Sequence, residues 1–181
     1  MKKFFNFNCN LNKFLLFFIA ATFLIGCGFQ MGSKASLSPK LNKVYFQADN
    51  EYESLAIKFK NELVSYGIIL VKNPADAPYK IHFFPTTFTH TTSTSGPSTQ
   101  ARVYNLIYTS SFSISDAKGK TIVSPRIVSS SRNLTLAPNE IFEVSTQVDV
   151  TKTSMEQELV VMIFNILSSP LVSGALNSTA N

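Results

Sequence analysis

Apolar positions in this chain recur first at helical spacing, then at every second residue, then at helical spacing again. Residues 43–47 (KVYFQ) form a compact β-prone run and predict a first strand. Asn50, with Glu53 three residues on, resembles a capping box and opens a predicted helix. Tyr52, Ala56, Phe59, Leu63 and Tyr66 mark its apolar face, and Gly67 stops it. Residues 68–71 (IILV) predict a short strand, and 73–78 a loop with two prolines. From Tyr79 the period is two. Residues 79–90 read as a long strand in which Pro85 suits an edge or a bulge. The segment 91–100 is too rich in Ser, Thr, Gly and Pro to be core. In 101–115 the even positions Tyr104, Leu106, Tyr108, Phe112 and Ile114 form one apolar face. Asp116 to Gly119 makes a tight turn, and 121–136 reads as the returning strand, interrupted at Pro125.

The last third returns to helical spacing. Met155, Leu159, Met162, Ile163 and Ile166 share a face. Upstream, 144–153 is rich in Val and Thr, which locally favour strand. Yet Val144, Val148 and Thr151 continue the same stripe, so the spacing predicts one long helix from about Val144. Residues 169–181 read as a flexible tail. The order β-α-β, long hairpin, α predicts an α+β two-layer sandwich: a roughly four-stranded sheet with two helices packed on one face, spanning 43–168.

Composition adds a location. The chain carries 16 Lys and Arg against 11 Asp and Glu, a net charge of +5. Residues 1–26 hold Lys2, Lys3 and Lys13 and no acid, so the remainder is nearly neutral and a dedicated nucleic-acid binder is excluded. The apolar segment 14–25 (FLLFFIAATFLI) spans roughly 18 Å as a helix, short of a ~30 Å hydrocarbon core. It reads as the core of a secretory signal peptide. Leu24, Ile25, Gly26 and Cys27 resemble the bacterial lipobox. That resemblance implies cleavage after Gly26 and acylation of Cys27, with 27–42 as lipidated N-terminus and tether. Gly28, where retention at the inner membrane usually calls for Asp, implies sorting to the outer membrane. Cys9 leaves with the leader, so the mature chain has one cysteine and no internal disulfide.

Catalytic constellations are scarce. His82 and His90, the only histidines, lie ~26 Å apart along the predicted strand, which excludes a shared local metal site. No second thiol, G-x-S-x-G elbow or phosphate-binding glycine loop is present. The pairs Glu51 with Glu53, Glu140 with Glu143 and Glu156 with Glu158 sit near predicted helix starts, where acids favour the macrodipole. The expectation is a protein that is not an enzyme and needs no cofactor or metal.

Several weak pieces, in order, resemble the lipopolysaccharide-assembly lipoprotein family LptE. Cys27, Gly28, Phe29, Gln30, Met31 and Gly32 resemble its C-G-F-x-L-x-G start, with Met31 for Leu and the glycine one position early. Ala101 to Leu106 (ARVYNL) resembles its A-x-x-Y-x-L strand opening, and Phe112 to Asp116 with Gly119 its strand–turn pattern. Arg132 and a long final helix fall where the family has them, whereas its N-terminal Arg is replaced by Met31, Gly32 and Ser33. The resemblance implies an outer-membrane lipoprotein that plugs an LptD-like β-barrel from the periplasmic side, supports its assembly and helps deliver lipopolysaccharide to the outer leaflet. Barrel lumens are polar, and the Ser/Thr-rich stretches 86–100 and 129–131 suit such a plug. Lipopolysaccharide carries phosphates, so Arg102, Lys118, Lys120, Arg126 and Arg132 are the candidate binding residues. Pairing of Asp116 with Lys120 would set Arg102 diagonal to Arg132. Without the resemblance, the residues favour a stand-alone lipoprotein domain on a lipid tether, binding a glycolipid or cell-wall ligand.

Overall fold

Among the described residues, six strands and three helices account for the apolar stripes. The computed structural model describes residues 37–94, 102–137 and 144–178, which belong to the unit Ala35–Asn181. Cys27 and the tether through residue 36, and Glu140 with Glu143, lie outside the described residues, whereas the last part of the predicted tether is ordered, with Leu41 in the core. A 3-10 turn (Pro39–Asn42) leads into strand β1 (Lys43–Ala48), helix α1 (Ser54–Ser65) and strand β2 (Ile69–Val71). Strands β3 (Tyr79–Phe83), β4 (Thr87–Thr94), β5 (Arg102–Asp116) and β6 (Thr121–Leu136) follow, then helices α2 (Val144–Leu167) and α3 (Pro170–Ser178). The two-layer α+β arrangement stands as read from the sequence, with more strands and one more helix.

The sheet runs β2–β1–β3–β5, with β4 continuing beyond β3 along the same side of β5 and β6 on the other. Strands β1 and β3 are parallel, and the rest of the sheet is antiparallel apart from the β1–β2 pair. The predicted strand 79–90 is split because Pro85 has no N–H to give the ladder. Register passes from Phe83 opposite Phe112 to Thr87 opposite Thr109, so three residues face two at the break. Beyond Ala48 and Phe83 the sheet narrows to β4, β5 and β6. This three-stranded arm follows a β5 that is fifteen residues long, roughly 46 Å at ~3.3 Å per residue.

All the large buried side chains lie on the helix side of the sheet. Tyr79, Ile81 and Phe83 of β3 and Tyr104, Leu106, Tyr108, Phe112 and Ile114 of β5 meet Leu55, Phe59 and Leu63 of α1 and Met155, Leu159, Ile163 and Leu167 of α2. Phe59 stacks on Phe83 with ring centroids 5.5 Å apart and meets Phe164 edge-on at 5.5 Å. Helix α1 starts at Ser54, later than predicted. Asn50 instead accepts the Tyr52 N–H in an Asx turn, leaving Tyr52 92% exposed rather than on the buried face. Gly67 ends the helix at φ +80°, as its position implied.

Helix α2 does begin at Val144. Its strand-favouring threonines are accommodated because the Thr151 and Thr153 hydroxyls donate back to the carbonyls of Gln147 and Asp149, at 2.8 and 2.9 Å. The predicted flexible tail is instead largely helix α3. Pro170 occupies its first turn, the Ser169 hydroxyl accepts the Val172 N–H, and Val172 and Leu176 are fully buried. Lys40 donates to the Leu176 carbonyl at 3.1 Å, tying α3 to the turn that precedes β1.

Candidate functional site

The helices cover one face of the sheet and leave the other open. On the arm, that open face carries Thr87, Thr89, Thr91 and Ser93 from β4. Strand β5 adds Val103, Asn105, Ile107, Thr109, Ser111, Ser113 and Ser115, and β6 adds Ile127, Ser129, Ser131, Asn133 and Thr135. None of these side chains is charged. The alternation that buries Tyr104, Leu106, Tyr108 and Phe112 puts hydroxyls and amides on the reverse side at every second residue. Cross-strand partners bond to one another: Asn105 Nδ2 donates to Asn133 Oδ1 at 3.0 Å, and the Thr109 and Ser129 hydroxyls lie 3.1 Å apart. Ile107 and Ile127 stand in the solvent among them, the latter 73% exposed. Charge gathers elsewhere on the open face, on the β1–β3 half, with Lys43, Lys80 and a 2.7 Å contact of His82 Nε2 with Asp49.

A polar cluster lies between the layers where the arm leaves the body. Glu156, in the middle of α2, is buried and accepts from the Ser54 hydroxyl at 2.8 Å and the Lys58 ammonium at 2.6 Å. Tyr108 donates to its other oxygen at 3.4 Å, and the Thr86 hydroxyl bonds the Glu53 carboxylate. Burial pushes the Tyr108 phenol up to about 12. This corrects the reading of Glu156 and Glu158 as acids at a helix start: both are mid-helix, and their partners are side chains. The clue in the sequence is that Glu156 shares the apolar spacing of Val160, Ile163 and Leu167.

A second feature is a groove of 620 Å³ between β4 and the first half of α2, lined by Phe88, His90, Val144, Ser145, Val148, Asp149 and Lys152. The Lys152 ammonium lies 5.2 Å from the Phe88 ring centre and 5.7 Å from that of Tyr108. The lining is mixed, with Phe88, Val144 and Val148 apolar and His90, Ser145, Asp149 and Lys152 polar. Among the described residues, no group of three His, Cys, Asp or Glu side chains could hold a metal ion, and no single helix is long and apolar enough to cross a membrane.

The candidate binding residues fall in four separate places. Lys118 and Lys120 sit together in the β5–β6 turn, where their N–H groups donate to Asp116 Oδ1 at 2.9 and 2.8 Å and Gly119 takes φ +84°. The expected Asp116–Lys120 pairing is present there, with the Asp116 N–H donating to the Lys120 carbonyl at 2.9 Å. Arg102 is at the opposite end of β5, roughly 46 Å away. Two register shifts, between Phe112 and Ser115, set Arg132 opposite Leu106 and Arg102 opposite Leu136. The expected diagonal contact of Arg102 and Arg132 therefore opens to four positions, about 13 Å. Pro125, which cannot donate to the ladder, lies where the shifts occur. Arg132 instead donates to Glu158 at 2.8 Å, and Ser130 donates to the same oxygen at 2.8 Å. The Ser130 hydrogen bond, then Arg132, holds the Glu158 carboxyl below its ordinary value. Arg126 is exposed opposite Phe112. The structure joins Lys118 with Lys120 and leaves the arginines apart.

No family model matches the chain, and no curated protein matches it in sequence. Solved structures do share its fold. An uncharacterized lipoprotein B from Nitrosomonas europaea superimposes with a TM-score of 0.66 at 16% identity, covering 83% of this chain and 96% of that one. The rare lipoprotein B of Shewanella oneidensis gives 0.63 at 17%, covering 72% and 97%. A minor lipoprotein of Acinetobacter baumannii gives 0.59 at 19%, covering 71% and 91%. The architecture is that of a group of bacterial lipoproteins, and at these identities the likeness concerns the fold alone.

Proposed function

We propose that this chain is an outer-membrane lipoprotein, acylated at Cys27, whose arm fills the lumen of a large LptD-like β-barrel. There it supports the barrel's assembly and takes part in delivering lipopolysaccharide to the outer leaflet, without chemistry of its own. The observation that carries this reading is the charge-free open face of β4, β5 and β6. A barrel lumen is polar, and a fixed charge pushed against it loses hydration unless it meets its opposite. Hydroxyls serve as donor or acceptor by rotation, so such a face adapts to many lumen side chains without leaving a group unpaired. The arm follows residues 102–111 of β5, roughly 30 Å, which matches the ~30 Å hydrocarbon thickness it would cross. The lipobox, the LptE-like segments and the fold shared with rare lipoprotein B support the same reading.

The groove beside Lys152 supports a second reading, a stand-alone lipoprotein that binds a glycolipid chain there. One experiment separates the two. A C-terminally tagged chain is purified from detergent-solubilised outer membranes and its companions are identified by mass spectrometry. Near-equimolar recovery of one large barrel protein is the expected result. Recovery of the acylated chain alone would sink the plug and leave ligand binding.

A further inference from the structure

The end of the sheet from which the tether departs carries a cluster of lysines. Strand β1 begins at Lys43, beside Ile69, and Val44 pairs with Tyr79, which pairs with Asp116. The Ala117 N–H donates to the Pro78 carbonyl at 3.1 Å, so the β5–β6 turn closes against the start of β3 at this same end. Lys43, Lys80, Lys118 and Lys120 therefore gather where the chain enters the domain, with Lys40 next to them on Leu176. The acids there are Asp76 and Asp116, and the Asp116 carboxylate is held by backbone N–H groups. Among the described residues, none of these lysines is salt-bridged.

Chain length places this end near a bilayer. Leu37, the first described residue, lies ten steps along the chain from Cys27, a reach of at most about 35 Å. The arm, with its charge-free open face, runs the other way, its tip roughly 46 Å from the β5–β6 turn. We infer that the lysine-bearing end docks on anionic phospholipid headgroups of the leaflet that holds the acyl chains. Charge complementarity selects the surface, and the tether limits the distance. The inference rests on acylation at Cys27 and concerns the chain before it engages a barrel.

The test uses the mature acylated protein in vesicles with no barrel present, so its failure and the failure of the plug reading are separate results. Amine-reactive labelling is followed residue by residue in mass spectra. Vesicles of phosphatidylcholine alone are compared with vesicles in which about a third of the lipid is phosphatidylglycerol. Lys118 and Lys120 should label several-fold more slowly in the anionic vesicles and recover at high salt, while Lys60 on α1 labels equally in both. In K118E/K120E, protection of Lys43 and Lys80 should fall by about fivefold for each lysine lost. Equal labelling in the two vesicle types would overturn the inference. So would protection seen only when lipopolysaccharide replaces phosphatidylglycerol, which would make the cluster a glycolipid site instead.

Discussion

Replacing Lys58 by Met strips the buried Glu156 carboxylate of its closest partner. The ion pair is 2.6 Å long, with side chains 32% exposed for Lys58 and 4% for Glu156. Removing one member of a fully buried pair costs about 3–5 kcal/mol. Here water reaches Lys58, and the Ser54 hydroxyl and the longer Tyr108 bond still serve the carboxylate, which brings the expected loss to about 2–3 kcal/mol. For a domain of this size that is a fall in Tm of about 6–10 °C. Glu156→Leu alone should cost only about 1 kcal/mol, because the freed ammonium can turn to solvent. The double variant should then be little worse than Glu156→Leu, giving a coupling of about 2 kcal/mol. Urea unfolding followed by circular dichroism, run as a double-mutant cycle, measures this directly. Additivity of the two changes within about 0.5 kcal/mol would refute the argument that Glu156 is held as a paired charge. The cluster fastens α2 to α1 beside the break between β3 and β4, so Lys58→Met should also loosen the root of the arm. Faster amide exchange at Thr86 and Tyr108 would report it.

The Glu158 carboxyl should titrate below its ordinary 4.5, by NMR, and move back toward it in Ser130→Ala. Because its folded value is depressed, the stability it contributes is present above the ordinary value and disappears as pH falls through the folded one, so Glu158→Gln should flatten the acid limb of the stability curve. Leu176→Ala should destabilise by about 2–4 kcal/mol, where a frayed tail would show no effect. Ser131→Glu and Thr109→Lys lie on the open face and should leave Tm nearly unchanged while reducing recovery of the barrel partner.

The parts of the fold legible in the sequence are those in which one periodicity holds without competition. The even positions of β5 gave its buried face because sheet alternation admits no other arrangement. Helix α2 was readable through its Val/Thr-rich start because the apolar stripe outweighed local strand propensity, and threonine hydroxyls could bond back along the helix. Register was not legible. The shifts between Phe112 and Ser115 depend on how the hairpin absorbs Pro125, and they moved Arg132 away from Arg102 and toward Glu158. Helix α3 escaped notice because two buried residues, Val172 and Leu176, are too few to set a period, and Gly174 between them lowers helix propensity. The neutral face was only half visible. Its Ser and Thr content was plain, but that they line one continuous uncovered surface required the pairing of β4, β5 and β6.

The most direct test of the plug is site-specific photocrosslinking in living cells. Photoreactive residues are placed on the open face at Thr109, Ser129 and Ser131, and on the helix layer at Val161 and Ile57, both of which are exposed. The account predicts crosslinks from all three sheet positions to one large β-barrel protein, at residues facing its lumen. Capture of that barrel from the helix positions alone, or of no barrel from any of them, would contradict it.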